Sequence, residues 1–338
     1  MIYNLRSFHF KWRLAPTLLL LGGILIVGIS VSAKKFSNNY HVPLAPAHEE
    51  FFQTIKPYMG QCVLQYFEKR YPRFDAFDKT VVPYWEKTLF SSTSPEAESL
   101  RDLLQSYSLE PGDLVAIDAL ARTLYAEMDR GFDHGLHYGR AIAGVVLNRA
   151  HAVDLKKRGY QVFSMGLHKK FHPLKKTITN VVVARRQFSA WDGVIKGKYN
   201  PVLSHALCPP INSEIMSWKR FATQYKHIPK KKLMPSKNEV LHWNVALRIA
   251  FEAILDPDRF WANFSKLNKR ELIAGQDAFP IYYYTSGYYT NGESKGKRVT
   301  LFAHRRDGAF KVVQGPAIGG RRDFDERLLR FWAPRNPL

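Results

Sequence analysis

Glu127 places a carboxylate where a helix of this pattern should carry an apolar side chain. Ile117, Leu120, Ala121, Leu124, Tyr125 and Met128 recur at the i, i+3, i+4 spacing of one buried helix face. Glu127 falls three residues after Leu124 and extends that face at the helix's C-terminal end. Partial desolvation there, and the negative end of the helix dipole, both favour the protonated acid. A carboxylic acid that is neutral near pH 7 is the group that protonates a glycosidic oxygen as its bond breaks. The competing reading is a Glu that reaches round to water and does no chemistry; the helix alone does not choose.

Around Glu127 no second acid stands on an apolar face; in a hydrolase variant Asp129, Asp133 or Asp192 would activate the water across the sugar from Glu127. Metal chemistry has little to recommend it. His168 and His172 are four apart but flank Lys169-Lys170 and precede Pro173, and His134 and His137 sit in a Gly-flanked loop. No CxxC or Cys/His ligand spacing exists, so neither a metal nor a cofactor is expected. Cys62 and Cys208 are too few for a disulfide scaffold; they either pair with each other in an oxidising compartment or stay as buried thiols.

The first residues differ in kind from the rest. Arg6, Lys11 and Arg13 precede Leu14 to Ala33, a run with no charge and one proline, Pro16. It is long enough to span a bilayer as a helix. Val31-Ser32-Ala33 is also similar to a signal-peptidase site, which leaves a cleaved signal peptide as the rival. Lys34 and Lys35 favour an uncleaved anchor; Arg6, Lys11 and Arg13 before it favour residues 1–13 in the cytoplasm and the remainder in the cell envelope, an asymmetry that Lys34 and Lys35 weaken. The formal charge of +21 then acts outside the cytoplasm. Basic clusters such as Lys156-Lys157-Arg158, Lys169-Lys170 and Lys230-Lys231-Lys232 suit a polyanion, acidic headgroups or a carboxylate-rich envelope polymer. Export makes nucleic acid the least expected partner.

Along the chain, residues 14–33 form the anchor or signal and 34–48 a linker. Residues 49–112 form a helical N-terminal region whose patterns are broken by Pro57, Pro72 and Pro83. A helix starts near Pro111-Gly112-Asp113, with Asp113 as its N-cap, and ends near Asp129-Arg130-Gly131. Tyr138 to Ala150 is apolar all round in its middle and predicts a central buried helix, with Gly144 letting another backbone come close. Asn148 ends that run as a polar group that needs partners. Residues 151–180 read as a basic surface excursion, and Trp243 to Leu255 as a helix halted by Pro257. Ile281-Tyr282-Tyr283-Tyr284-Thr285, a turn at Asn291-Gly292, Arg298 to Phe302 and Phe310 to Val313 predict a small antiparallel sheet. The fold class is therefore mainly α, with a minor β element (α+β).

Three segments together resemble a known family. Leu120-Ala121-Arg122-Thr123-Leu124-Tyr125-Ala126-Glu127, then Ala141-Ile142-Ala143-Gly144-Val145-Val146-Leu147-Asn148-Arg149, then Gln187-Phe188-Ser189-Ala190-Trp191 occur in that order. They are similar to the cell-wall hydrolase family typified by bacterial spore-cortex-lytic enzymes, over residues 113–313, with 314–338 as a tail. The resemblance implies a lysozyme-like helical domain that cleaves peptidoglycan glycan strands by lytic transglycosylation. It carries the catalytic acid onto Glu127, needing no cofactor. Tyr125, Asn148, Gln187, Ser189 and Tyr283 are then substrate-binding candidates, and Trp191 is expected in the core. Departures are Glu127-Met128-Asp129-Arg130-Gly131, where the family reads Glu-Ala-Arg-Gly-Glu, and the long connection 151–180. A muramidase-type hydrolase with a second carboxylate, or a non-catalytic envelope-binding protein of the same fold, are the alternatives.

Overall fold

The structure is a computed structural model that describes residues 42–63, 76–91, 94–128, 132, 136–154, 172–184, 188–192, 194–195, 198–199, 201–210, 239–268, 282–285, 310–313 and 329–334. The expected anchor at 14–33 lies outside them. Among the described residues, no helix is long and apolar enough to cross a membrane.

The described fold is mainly helical. In chain order the helices are α1 (Pro46–Ile55), α2 (Ala76–Phe90), α3 (Pro95–Ser106), α4 (Pro111–Met128), α5 (Leu136–Asp154), α6 (Thr177–Val183), α7 (Pro201–Leu207), α8 (Glu239–Leu255) and α9 (Pro257–Asn268). One apolar core runs from Val42, Phe51 and Phe52 through Trp85, the length of α4, and Val145, to Trp243 and Phe260. The 49–112 region therefore shares its core with the helices that follow it. Outside the helices, β1 (Val194–Ile195) pairs antiparallel with β2 (Lys198–Tyr199). Farther on, β3 (Tyr282–Thr285) and β4 (Phe310–Val313) each pair antiparallel with β5 (Leu329–Pro334), the middle strand. The Arg298 to Phe302 stretch lies outside the described residues.

α4 departs from the single buried face that its spacing predicts. Every side chain from Leu114 to Ala126 is buried, because α2, α5, α6, α7 and α8 surround it. The two charges that would mark its solvent face are buried together instead: Arg122 Nε lies 3.0 Å from Asp118 Oδ1, both side chains 0 % exposed. Each group has further partners. Asp118 accepts from the Gly60 amide at 2.9 Å and from the Trp85 indole N–H at 2.9 Å. Arg122 donates to the carbonyls of Ala206 (2.8 Å), Leu207 (3.3 Å) and Gln61 (2.8 Å). Such satisfaction is what a buried charge requires. The clamp holds two chain segments on α4, and those segments carry Cys62 and Cys208, which are joined as a disulfide.

Other local expectations are adjusted by tertiary packing. Pro83 sits inside α2 and does not break it. Its missing N–H costs a backbone bond, but Val81, Val82, Trp85 and Leu89 of the same helix are all in the core, and burial outweighs the penalty. Asp113 is not the N-cap: α4 begins at Pro111, and the Asp113 carboxylate reaches back to accept from the Glu110 amide at 2.9 Å, the return half of a capping box. Its other oxygen takes Lys176 Nζ at 2.6 Å. Pro257 ends one helix by starting the next, with Asp256 capping α9 through the Arg259 amide at 3.3 Å. Of the 151–180 excursion, α5 continues to Asp154, and 172–180 pack back through Lys175 to Asp78 at 2.8 Å. The α5–α8–α9 junction is closed by Arg140 Nη2 against Glu252 Oε2 at 2.7 Å, with Asn263 donating to Oε1. Burial pushes the Glu252 carboxyl above its ordinary range, opposed by Arg140, Asn263 and Arg259.

Gly144 does admit a close neighbour, though it is a ring and not a backbone: a Cβ there would lie 3.3 Å from the Trp261 indole. Gly139 is tighter, since a Cβ would meet Phe132 Cε1 at 2.5 Å and Ile249 Cδ1 at 3.1 Å. Phe132 is 0 % exposed and is the described anchor of the connection between α4 and α5. Gly139→Ala should therefore cost about 1–3 kcal/mol through overpacking. Gly144→Ala should stay within about 1 kcal/mol, helix propensity offsetting the small shift of Trp261. Urea unfolding of the two variants checks the contrast.

Candidate active site

Glu127 is placed by the last turn of α4. One residue before its end the helix leaves the fully buried core, so the side chain is half-buried where Ala126 and Met128 on either side are buried. Its Oε1 accepts the backbone N–H of Ala190 at 2.9 Å. Ala190 belongs to the 3-10 turn Ser189–Trp191, far along the chain, so the two are joined by the fold alone. The turn is fastened a second time, one helical turn earlier: Trp191 Nε1 donates to Thr123 Oγ1 at 2.8 Å. Thr123 and Glu127 are i, i+4 on one face of α4 and so meet the same neighbour.

The helix α5 reaches the same segment through Arg149. Arg149, 4 % exposed, lies over the Phe188 ring at 5.1 Å from its centroid, a cation–π contact. The helix carrying Tyr-Ala-Glu and the helix carrying Leu-Asn-Arg thus both contact the Phe-Ser-Ala-Trp element, the first through Thr123 and Glu127 and the second through Arg149. A carboxyl group held this way has a defined chemistry. In a neutral acid the carbonyl oxygen is the acceptor and the hydroxyl oxygen the donor. An ionised carboxylate accepts that N–H equally well; in the neutral acid, Oε1 would be the carbonyl oxygen and Oε2 would carry the proton.

The remaining candidates are placed differently. Tyr125 is 0 % exposed, its ring against His205 (5.9 Å between centroids) and Trp243 (6.1 Å), so its side chain packs in the core. Asn148 is 1 % exposed at the end of α5, beside Arg149. Gln187 and the side chain of Ser189 lie outside the described residues, although the Ser189 backbone forms the turn that meets Glu127. Tyr283 falls on β3, where its backbone pairs with Phe331, and its side chain is also outside them. Of the water-activating candidates, Asp129 and Asp133 lie outside; Asp192 is half-buried, two residues beyond Ala190. Trp191 is core, 3 % exposed and edge-on to Phe77 at 5.1 Å and 89°. His172 is engaged with Glu86 at 3.0 Å.

Thr123 and the Ala190 amide were not legible as site groups. A Thr inside an apolar helix reads as packing, and a backbone amide has no sequence signature. The Asp118–Arg122 spacing was the one available signal, an opposite-charge i, i+4 pair in an otherwise apolar helix.

The electrostatics also separate. Acidic residues outnumber basic ones across the helices, so the net charge of +21 arises elsewhere in the chain. Much of it comes from 155–171, which has five basic residues (Lys156, Lys157, Arg158, Lys169 and Lys170) and no acid. Residues 211–238 add Lys219, Arg220, Lys226, Lys230, Lys231, Lys232 and Lys237 against the single acid Glu214. Compared with known proteins, the chain matches no family model, no curated protein and no solved structure.

Proposed function

We propose that the protein is a peptidoglycan-cleaving enzyme acting on the bond between N-acetylmuramic acid and N-acetylglucosamine, with Glu127 as general acid and then general base. The observation that carries this reading is the Ala190 N–H to Glu127 Oε1 bond at 2.9 Å. It ties the half-buried acid to the Gln-Phe-Ser-Ala-Trp element, one of the three segments on which the resemblance rests. In the proposed reaction Oε2 donates its proton to the glycosidic oxygen as the C1–O bond breaks, leaving an oxocarbenium-like muramic residue. That sugar's own C6 hydroxyl attacks C1, and the Glu127 carboxylate takes the hydroxyl proton. The product is a 1,6-anhydro sugar and the acid is restored. One carboxyl serves both steps because the nucleophile is intramolecular and already held close. No metal or cofactor is called for.

The reading extends to a lysozyme-like arrangement of the helices, with the strands after residue 281 as its β element. It also places Leu14 to Ala33 as a membrane anchor or cleaved signal, with the catalytic part in the envelope facing glycan strands. Hydrolysis by a second carboxylate is the variant with an observation of its own. Asp192 follows closely on the turn that contacts Glu127, and a carboxyl about 6.5–9.5 Å away would suit an inverting attack by water.

The deciding experiment incubates the detergent-solubilised full chain with purified peptidoglycan and weighs the released fragments by mass spectrometry. Anhydro ends, lighter by one water than hydrated ones, are the expected result. Hydrated reducing ends would make it a hydrolase and direct attention to Asp192. Absence of any product from folded, wall-bound protein would refute the enzyme reading in favour of an envelope-binding role.

A further inference from the structure

The turn that contacts Glu127 is also held at a second, more deeply buried point. Thr123 is 0 % exposed and Trp191 3 % exposed. The Thr123 hydroxyl donates to the Ala119 carbonyl at 2.7 Å and accepts from the Trp191 indole at 2.8 Å. Its single proton is committed to α4, so an oxygen lone pair is left for the indole N–H and the direction of the bond is set. No water can replace a bond in so buried a place without the group first paying desolvation, so breaking it is costly. The Trp191 ring is further fixed edge-on to Phe77, and Phe188 lies under Arg149. Ala190 stands between these two anchored aromatic residues, and its N–H meets Glu127 Oε1. Any slide of the turn along α4 therefore changes the contact at Glu127 directly.

We propose that Thr123 and Trp191 are positioning residues for Glu127: their hydrogen bond sets the Ser189–Trp191 turn, which aims the Ala190 N–H at Oε1 and keeps the acid proton on Oε2, toward the bond to be cleaved. This rests on the glycan-cleaving reading. Misplacement of a catalytic group by about 1 Å can lower a rate by about a hundredfold, and the loss of one remote bond should produce a fraction of that.

The test uses the full chain as wild type, Thr123→Val, Thr123→Ser, Trp191→Phe, the Thr123→Val/Trp191→Phe double variant and Glu127→Gln. Steady-state kinetics on peptidoglycan are read beside thermal unfolding. Thr123→Val and Trp191→Phe should each lower kcat about tenfold with KM unchanged within about twofold. Thr123→Ser, which keeps the hydroxyl, should recover most of the rate. The double variant should be no slower than the worse single, since both remove the same bond. A lowered Tm with kcat of the folded protein unchanged, or additive losses, would overturn the proposal. If Thr123→Val does not fold, Trp191→Phe carries the test, because it retains an aromatic ring facing Phe77. Full activity in Glu127→Gln would refute the underlying reading instead, and is distinguishable because it leaves Thr123 and Trp191 untouched.

Discussion

If the proposed reaction holds, Glu127→Gln should lower glycan cleavage by about 10²–10⁴-fold, the range that a lost general acid commands, while the protein stays folded. Gln is nearly isosteric, and its amide oxygen accepts the Ala190 N–H as Oε1 does. The contact that holds the turn therefore survives, and Tm should move by no more than about 2 °C. What disappears is the transferable proton: an amide NH₂ neither protonates a leaving oxygen nor takes the C6 hydroxyl proton. Rate and stability are thus expected to separate at this residue. Initial rates of fragment release, set beside a thermal melt of the same preparation, measure both. Retained activity would remove Glu127 from the chemistry. A collapse in stability would show that the side chain is needed for the fold and leave the catalytic question to product analysis.

Arg122→Ala has the opposite profile. It leaves the 0 % exposed Asp118 without its cation, and it takes the Arg122 donor from the Ala206 and Gln61 carbonyls, while the Leu207 carbonyl keeps the Val63 amide. Breaking a buried ion pair from one side costs about 3–5 kcal/mol, which for a domain of this size lowers Tm by about 10 °C. Replacing a buried pair with apolar residues is often neutral, but here it should not be. Asp118→Leu/Arg122→Met would still take a partner from the Gly60 amide, the Trp85 indole N–H and the Ala206 and Gln61 carbonyls. Melts of the single and double variants decide this. A double variant as stable as wild type would mean that the clamp contributes nothing beyond its own charge pair.

The polarity pattern explains why parts of this architecture were readable and others were not. Glu127 stood out because a carboxylate interrupts a local apolar rhythm, and periodicity is information that neighbouring residues carry themselves. The same holds for the apolar middle of α5 and for the end of α8 at Leu255, although α8 starts at Glu239, before the expected Trp243. The error on α4 has the same root. Asp118 and Arg122 look solvent-facing to any rule that scores residues singly, and they are buried because each is the other's partner. Pro83 inside α2 and Asp113 behind the α4 cap follow likewise: the local preference was real, and burial or a nearby backbone amide overrode it.

By itself, then, the sequence determined the mainly helical character, the helix that carries Glu127, the order of three motif segments and the position of two cysteines able to pair. Tertiary structure alone decided that α4 is surrounded on all sides. It also decided that Thr123 and Glu127 receive the Ser189–Trp191 turn, that Arg149 lies over Phe188, and that Tyr125 packs inward between His205 and Trp243. The reason is physical. Helix periodicity is fixed by contacts three and four residues apart, whereas the group that orients Glu127 is a backbone amide with no side-chain identity, brought to it across the chain by the packing of a threonine, a tryptophan and an arginine.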